Sequence, residues 1–212
     1  MKIALLAIAL LSIPALAAAQ TAPLPAAPLP APAPAPPPRP TLPRVTLQTP
    51  KGPIVIALDI DKAPKTAANF LRYVTAKKFD GTSFYRALSF PRDTPLGLIQ
   101  GGIRGISTRS FPPIAHEATS LTGLTHDDGA VSMARTTPGT AQGDFFIIIG
   151  KLDSLDADFA APGFAVFGHV VEGMDIVRAI QASPVSPTAG EGAMKGQILA
   201  APVAIITATK TK

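Results

Sequence analysis

The sequence predicts an all-β barrel of eight short antiparallel strands whose ends are capped by two helices. Three observations predict it. Apolar residues recur at period two in short runs divided by Gly- and Pro-containing turns. Only two segments carry helical periodicity, and they do not alternate with the strands as parallel βαβ units would require. Closing such a sheet removes the exposed edges that would otherwise pair with other chains.

The first element is a leader. Residues 1–19, MKIALLAIALLSIPALAAA, place one cation at Lys2 before an apolar run, break it at Pro14 and end in Ala17-x-Ala19. That is the pattern of a secretory signal peptide, and its apolar run is short for a membrane span. Cleavage near Ala19 would leave a periplasmic or secreted chain without a membrane span. From Thr21 to Pro43, eleven of 23 residues are proline. A backbone so poor in donors favours extended polyproline II conformation and cannot build a core, so 20–43 reads as a disordered Pro/Ala-rich linker. The folded domain is therefore 44–212, with its last structured residue near Lys210, long enough to bury roughly 70% of its chain surface in one core.

Within that domain, Val45-Leu47 and Ile54-Ile56-Leu58 alternate on either side of the turn Pro50–Pro53 and predict an opening hairpin. Pro64 suits a first helical turn. Ala67, Phe70, Leu71 and Val74 follow at i, i+3, i+4 and i+7, predicting an amphipathic helix over 64–77. Strand-like runs follow at Ser83–Ala87, Leu96–Gly101, Ala130–Ala134, Phe145–Ile149 and Ala165–Val170. A second helix over Met174–Gln181 and a last strand near Val203–Ala208 complete the set. The stretch 102–129 has little periodicity and reads as one long loop wrapped over the barrel.

Composition excludes several chemistries. The chain has no cysteine, so it holds no disulfide, no Cys-ligated metal and no thiol nucleophile. Its 19 Lys+Arg against 14 Asp+Glu give a net charge of +5, with no basic run of the kind a nucleic-acid surface needs. His116, His126 and His169 match no common ligand or triad spacing, and no HExxH or GxSxG occurs. Asp127-Asp128, Asp153, Asp156 and Asp158 lack the Gly and terminal Glu of a calcium loop. Gly101-Gly102 with Gly105 has no following Lys-Ser or Lys-Thr to hold phosphate.

One residue remains to be explained. Arg86 lies inside the apolar run Ser83-Phe84-Tyr85-Arg86-Ala87, where period two puts it on the same face as Phe84. A charge pointing into the core would be costly without partners. Arg86 therefore emerges on the barrel wall, either as a functional group or as a surface ion-pair partner.

The order Phe84-Tyr85-Arg86, Leu98-Ile99-Gln100-Gly101-Gly102, Val131-Ser132-Met133-Ala134-Arg135, Asp144-Phe145-Phe146-Ile147 and Ala165-Val166-Phe167-Gly168 resembles the cyclophilin family of peptidyl-prolyl cis-trans isomerases. The resemblance covers residues 44–208, and Val170–Asp175 looks like that family's run into its second helix. It implies an eight-stranded antiparallel cyclophilin-like barrel with an Xaa-Pro peptide extended along its wall. Arg86 and Gln100 would be the catalytic pair. Leu98, Phe146, Leu155 and Phe164 would line the proline pocket, while Ala134, Arg135 and Thr136, with Asp144, would bind the rest of the peptide. The resemblance implies no cofactor, no metal, no covalent intermediate and a monomer.

Departures from that pattern bear on preference. Gly97 stands where the family has a pocket phenylalanine, and about six extra residues lie between Arg86 and Gln100, so Leu88–Leu96 could reshape the pocket, with Phe90 as a substitute. Arg135 replaces an asparagine, Asp144 a glutamine, and Phe164 a histidine, and the aromatic expected near Ser154 is missing, which predicts weak binding of the family's cyclic-peptide inhibitor. A reading from another class is a binding module that holds Pro-containing segments of exported chains without catalysis. Retention of Arg86 and Gln100 favours the enzyme.

Overall fold

The computed structural model describes residues 42–90, 96–158 and 160–211. The leader expected at 1–19 and all but the last two residues of the expected linker lie outside them, as does the middle of the 88–96 loop.

Among the described residues the chain forms one curled antiparallel sheet of ten strands. These are β1 (Arg44–Thr49), β2 (Gly52–Leu58), β3 (Thr82–Ser89), β4 (Gly97–Gly102), β5 (Ala130–Met133), β6 (Asp144–Ile149), β7 (Ala165–Glu172), β8 (Val185–Ser186), β9 (Ile198–Ile205) and β10 (Thr207–Thr211). Their order is β10-β1-β2-β7-β5-β6-β4-β3-β9-β8. Eight strands were expected, and two local features account for the difference. The last predicted strand is split at Ile206, because β9 pairs with β3 while β10 pairs with β1. The Ile206 N–H donates to the Gln48 carbonyl at 2.8 Å, so one run of backbone serves strands at opposite ends of the sheet. The two-residue β8 on the outside of β9 is the other addition.

Among the described residues three α-helices form rather than two: α1 (Pro64–Thr75), α2 (Thr119–Thr122) and α3 (Met174–Gln181). The short α2 lies inside the stretch expected to be structureless, and that stretch is tied down elsewhere too. Its Glu117 carboxylate accepts from the Lys65 and Thr66 amides and the Thr66 hydroxyl at 2.7–3.1 Å, satisfying the free donors at the start of α1. Helix α1 ends at Thr75, since the Ala76 and Lys77 amides bond back to Arg72 and Val74 and Lys77 takes a positive φ of 53°. It packs on β7 and β10, and α3 packs on β2, β3 and β4.

The interior is aromatic. Phe70 of α1 meets Phe79, Phe145 and Phe167 at centroid distances of 5.1–5.3 Å, and Phe84 lies edge-on to Phe145. Strand β6 is buried on both faces, which explains its unbroken apolar run. Phe145, Ile147 and Ile149 face the main core, whereas Phe146 and Ile148 join Leu98, Ala130 and Val166 in a second cluster on the outer wall. That second cluster is the floor of the site.

Candidate functional site

Strand β3 carries a bulge at Tyr85. Phe84 pairs with Gly101 and Arg86 pairs with the adjacent Gln100, so two steps on β3 match one on β4. The simple period-two expectation for these residues is thereby corrected: Phe84 turns into the core, fully buried, and Arg86 turns out onto the wall. Gly101 permits this, since a Cβ there would stand 2.8 Å from the Phe84 ring.

Once outside, the guanidinium is held on two sides. Its Nη1 donates to Gln100 Oε1 at 2.8 Å, and its Nε and Nη2 both donate to Gln197 Oε1 at 2.9 and 2.6 Å. Burial presses the Arg86 pKa down from its usual value, yet an arginine starts far enough above neutrality to stay charged. Behind it, Gln100 Nε2 donates to the Tyr85 hydroxyl at 2.8 Å, and that hydroxyl stands 3.3 Å from Asp144 Oδ1. The same carboxylate oxygen accepts from the Arg104 amide at 2.8 Å. Burial raises the Asp144 carboxyl above its ordinary range and, with Asp144 beside it, raises the Tyr85 phenol well above 10.

All ten residues named from the sequence, Arg86, Gln100, Leu98, Ala134, Arg135, Thr136, Asp144, Phe146, Leu155 and Phe164, line a single cleft of about 610 Å³. The apolar part is built on the outer-wall cluster, with Phe164 edge-on to Phe146 at 5.3 Å. Arg135 stacks its guanidinium on Phe164 at 4.7 Å and donates to the Gly163 carbonyl. The arginine thus ties the segment after β5 to the one before β7.

The sequence missed Tyr85, Leu88, Thr140, Gln142 and Met194 on the lining, and Gln197 behind it. Tyr85 was adjacent to Arg86, and only the bulge brings both to the site. Met194 and Gln197 come from the irregular stretch before β9, which carries no periodic signal. Phe90, considered as a replacement aromatic, is 39% exposed and does not line the cleft. Leu88 does. Gly97 is fixed by close approach, because a Cβ there would lie 1.9 Å from the Leu88 carbonyl oxygen.

The histidines lie apart from this lining. His116 Nε2 is 2.8 Å from the Pro162 carbonyl, and His126 is buried between Asp156 and Ser132. No group of three or more His, Asp or Glu among the described residues is arranged to hold a metal.

What the arrangement can do follows from its donors. Arg86 has five N–H groups, and the two glutamine oxygens take three, leaving one on each Nη. Two fixed, charged donors thus adjoin an apolar recess open to an extended chain.

Known proteins match this chain at the levels of sequence and fold. Residues 44–207 match the family described as cyclophilin type peptidyl-prolyl cis-trans isomerase/CLD. A peptidyl-prolyl cis-trans isomerase of Streptomyces antibioticus is 40% identical over 146 residues, covering 65% of this chain and 82% of that one. Peptidyl-prolyl cis-trans isomerase B of Escherichia coli K12 is 36% identical over 146 residues, covering 65% and 83%. Among solved structures, a Cryptosporidium parvum cyclophilin type isomerase, crystallised in the presence of the dipeptide Ala-Pro, superposes with a TM-score of 0.64. It is 20% identical and covers 80% of this chain and 99% of that one.

Proposed function

The chain belongs to the cyclophilin-type peptidyl-prolyl cis-trans isomerases and is an isomerase of that class, and from that premise we propose that Arg86, positioned by Gln100, accelerates rotation about Xaa-Pro bonds in exported proteins during their folding. The observation that carries this reading is the Arg86 guanidinium, held by two glutamine oxygens with a free N–H on each Nη, at the edge of an apolar recess.

The chemistry asks for little else. An Xaa-Pro bond turns slowly because amide resonance raises a barrier of roughly 18–20 kcal/mol. In the twisted transition state the prolyl nitrogen loses conjugation and becomes pyramidal. A donor aimed at its lone pair then stabilises that state more than either planar ground state. Leu98, Phe146, Leu155 and Phe164 hold the ring while the preceding carbonyl swings, and their apolar surfaces exclude water and strengthen the field of Arg86. Ala134, Arg135 and Thr136 border the cleft where the peptide would run. No bond is broken, no proton is transferred, and no cofactor or metal is used in this scheme.

Export is the second part of the proposal. The 1–19 segment supports cleavage near Ala19 and release as a periplasmic or secreted chain. No helix among the described residues is long and apolar enough to cross a membrane.

The deciding experiment follows cis-to-trans relaxation of a chromogenic Xaa-Pro peptide with the protein and with Arg86→Ala. Loss of about a hundredfold or more in kcat/KM in a folded variant is expected, as for removal of one transition-state donor. Near-wild-type turnover would remove Arg86 from the reaction. Edman sequencing of the protein recovered from a periplasmic fraction checks export, and a start near Gln20 is expected.

A further inference from the structure

The polarity of the hydrogen bonds behind Arg86 is dictated from both ends. A guanidinium only donates, so the Gln100 atom facing it at 2.8 Å must be the amide oxygen. The amide nitrogen then faces Tyr85, whose oxygen must accept at 2.8 Å. Nothing in Gln100 itself enforces this choice, since an amide turned by 180° has nearly the same shape and would aim N–H at the guanidinium. Arg86 disfavours the flipped amide from one side, and the direction of the Tyr85 O–H disfavours it from the other. That proton has a carboxylate to go to, Asp144 Oδ1 at 3.3 Å, itself anchored by the Arg104 amide at 2.8 Å.

We propose that Tyr85 and Asp144 are positioning residues for the isomerase reaction: Asp144 accepts the Tyr85 hydroxyl, Tyr85 therefore presents its oxygen to Gln100, and the Gln100 amide is locked with its own oxygen toward Arg86. The proposal rests on Arg86 being the group that acts on the prolyl nitrogen. Tyr85 is 5% exposed and Gln100 9%, so water cannot readily substitute for either partner. Without Asp144 the phenol would turn its proton toward Gln100 and favour the flipped amide, which repels the arginine. Asp144 thus has a task through Tyr85 besides bordering the cleft, and the two side chains act as one device.

The test is a double-mutant cycle on the full chain, with kcat and KM measured separately for Tyr85→Phe, Gln100→Ala and the double variant. Tyr85→Phe is expected to lower kcat about fivefold to tenfold with KM within about twofold, and to add less than about twofold in the Gln100→Ala background, because its effect passes through Gln100. A purely structural role would give the same loss in both backgrounds, and that additivity would overturn the proposal. Should Tyr85→Phe not fold, Asp144→Asn and Asp144→Leu ask the same question. The asparagine oxygen still accepts from the phenol, so Asp144→Asn should keep several-fold more kcat than Asp144→Leu, and equal losses would overturn the proposal. Arg86→Ala, run alongside, separates the failures. Activity retained there removes the premise, whereas an inactive Arg86→Ala with additive Tyr85 and Gln100 effects removes only the role given to Tyr85 and Asp144.

Discussion

Arg86 and Gln197 lie 111 residues apart in the chain, and a single oxygen of Gln197 accepts two bonds from the guanidinium, at 2.9 Å from Nε and 2.6 Å from Nη2. This grip sets the plane of the guanidinium, while Gln100 sets its far corner. The strand pairing makes it possible: β9 meets β3 at Ile198↔Arg86, the residue directly after Gln197.

Gln197→Ala should therefore swing the guanidinium out of register while leaving the charge in place. The expected loss is about tenfold in kcat/KM, equivalent to roughly 1.4 kcal/mol of transition-state stabilisation. The thermal midpoint should hardly move, because Gln197 is only half-buried in the irregular segment before β9. Peptide relaxation assays beside a melting curve check both halves, and full activity in the variant would show that Gln100 alone suffices to orient Arg86.

Restoring the family's phenylalanine at position 97 should be damaging. The Cβ alone would meet the Leu88 carbonyl at 1.9 Å and Gln181 Nε2 at 2.5 Å. Main chain of the β3–β4 hairpin would have to shift, and Gln181, which donates to that Leu88 carbonyl at 3.1 Å, would lose its place. Gly97→Phe is expected to cost about 3 kcal/mol, or roughly 10 °C in Tm for a domain of this size. Leu88, on the neighbouring strand, lines the cleft, so Leu88→Ala should raise KM with little change in Tm, which the same two assays read.

These residues show what was legible in the chain. Alternation in Val45–Leu58 and Phe145–Ile149 reports burial on sheet faces, a local property, and the predicted strands occupy the expected places. The face of Arg86 was not local: it depends on a bulge at Tyr85 that the sequence does not mark. The ten residues named from the resemblance all reach the cleft, nine of them on a strand or beside one and Leu155 in the short turn Asp153–Leu155 between β6 and β7. Gln197 and Met194 lie in a segment without period, and only the pairing of β9 with β3 brings them to the site. The split of the last strand at Ile206 was equally hidden, since it reflects where the two ends of the sheet meet.

Acid should weaken the fold through His126, a residue that sequence spacing gave no role. Its ring is fully buried, with Nδ1 2.7 Å from Asp156 and Nε2 3.0 Å from Ser132, and it stacks on Phe146 at 6.0 Å. Burial lowers its pKa below 6.5, and the attraction of Asp156 and Asp127 offsets that only in part. The native state consequently binds fewer protons than the unfolded state between the lowered value and 6.5. Stability from this group is complete above about pH 6.5 and declines as pH falls through that window. Asp144 acts with the opposite sign, but only between its raised value and 3.8. Urea midpoints of the wild type should drop on acidification below pH 6.5, and His126→Gln, which keeps polar groups but cannot titrate, should flatten the decline. An unchanged slope in that variant would assign the acid sensitivity to other groups. Because Phe146 lies between this histidine and the cleft, the same acidification should raise KM before the protein unfolds, and an unaltered KM down to the unfolding threshold would separate the two.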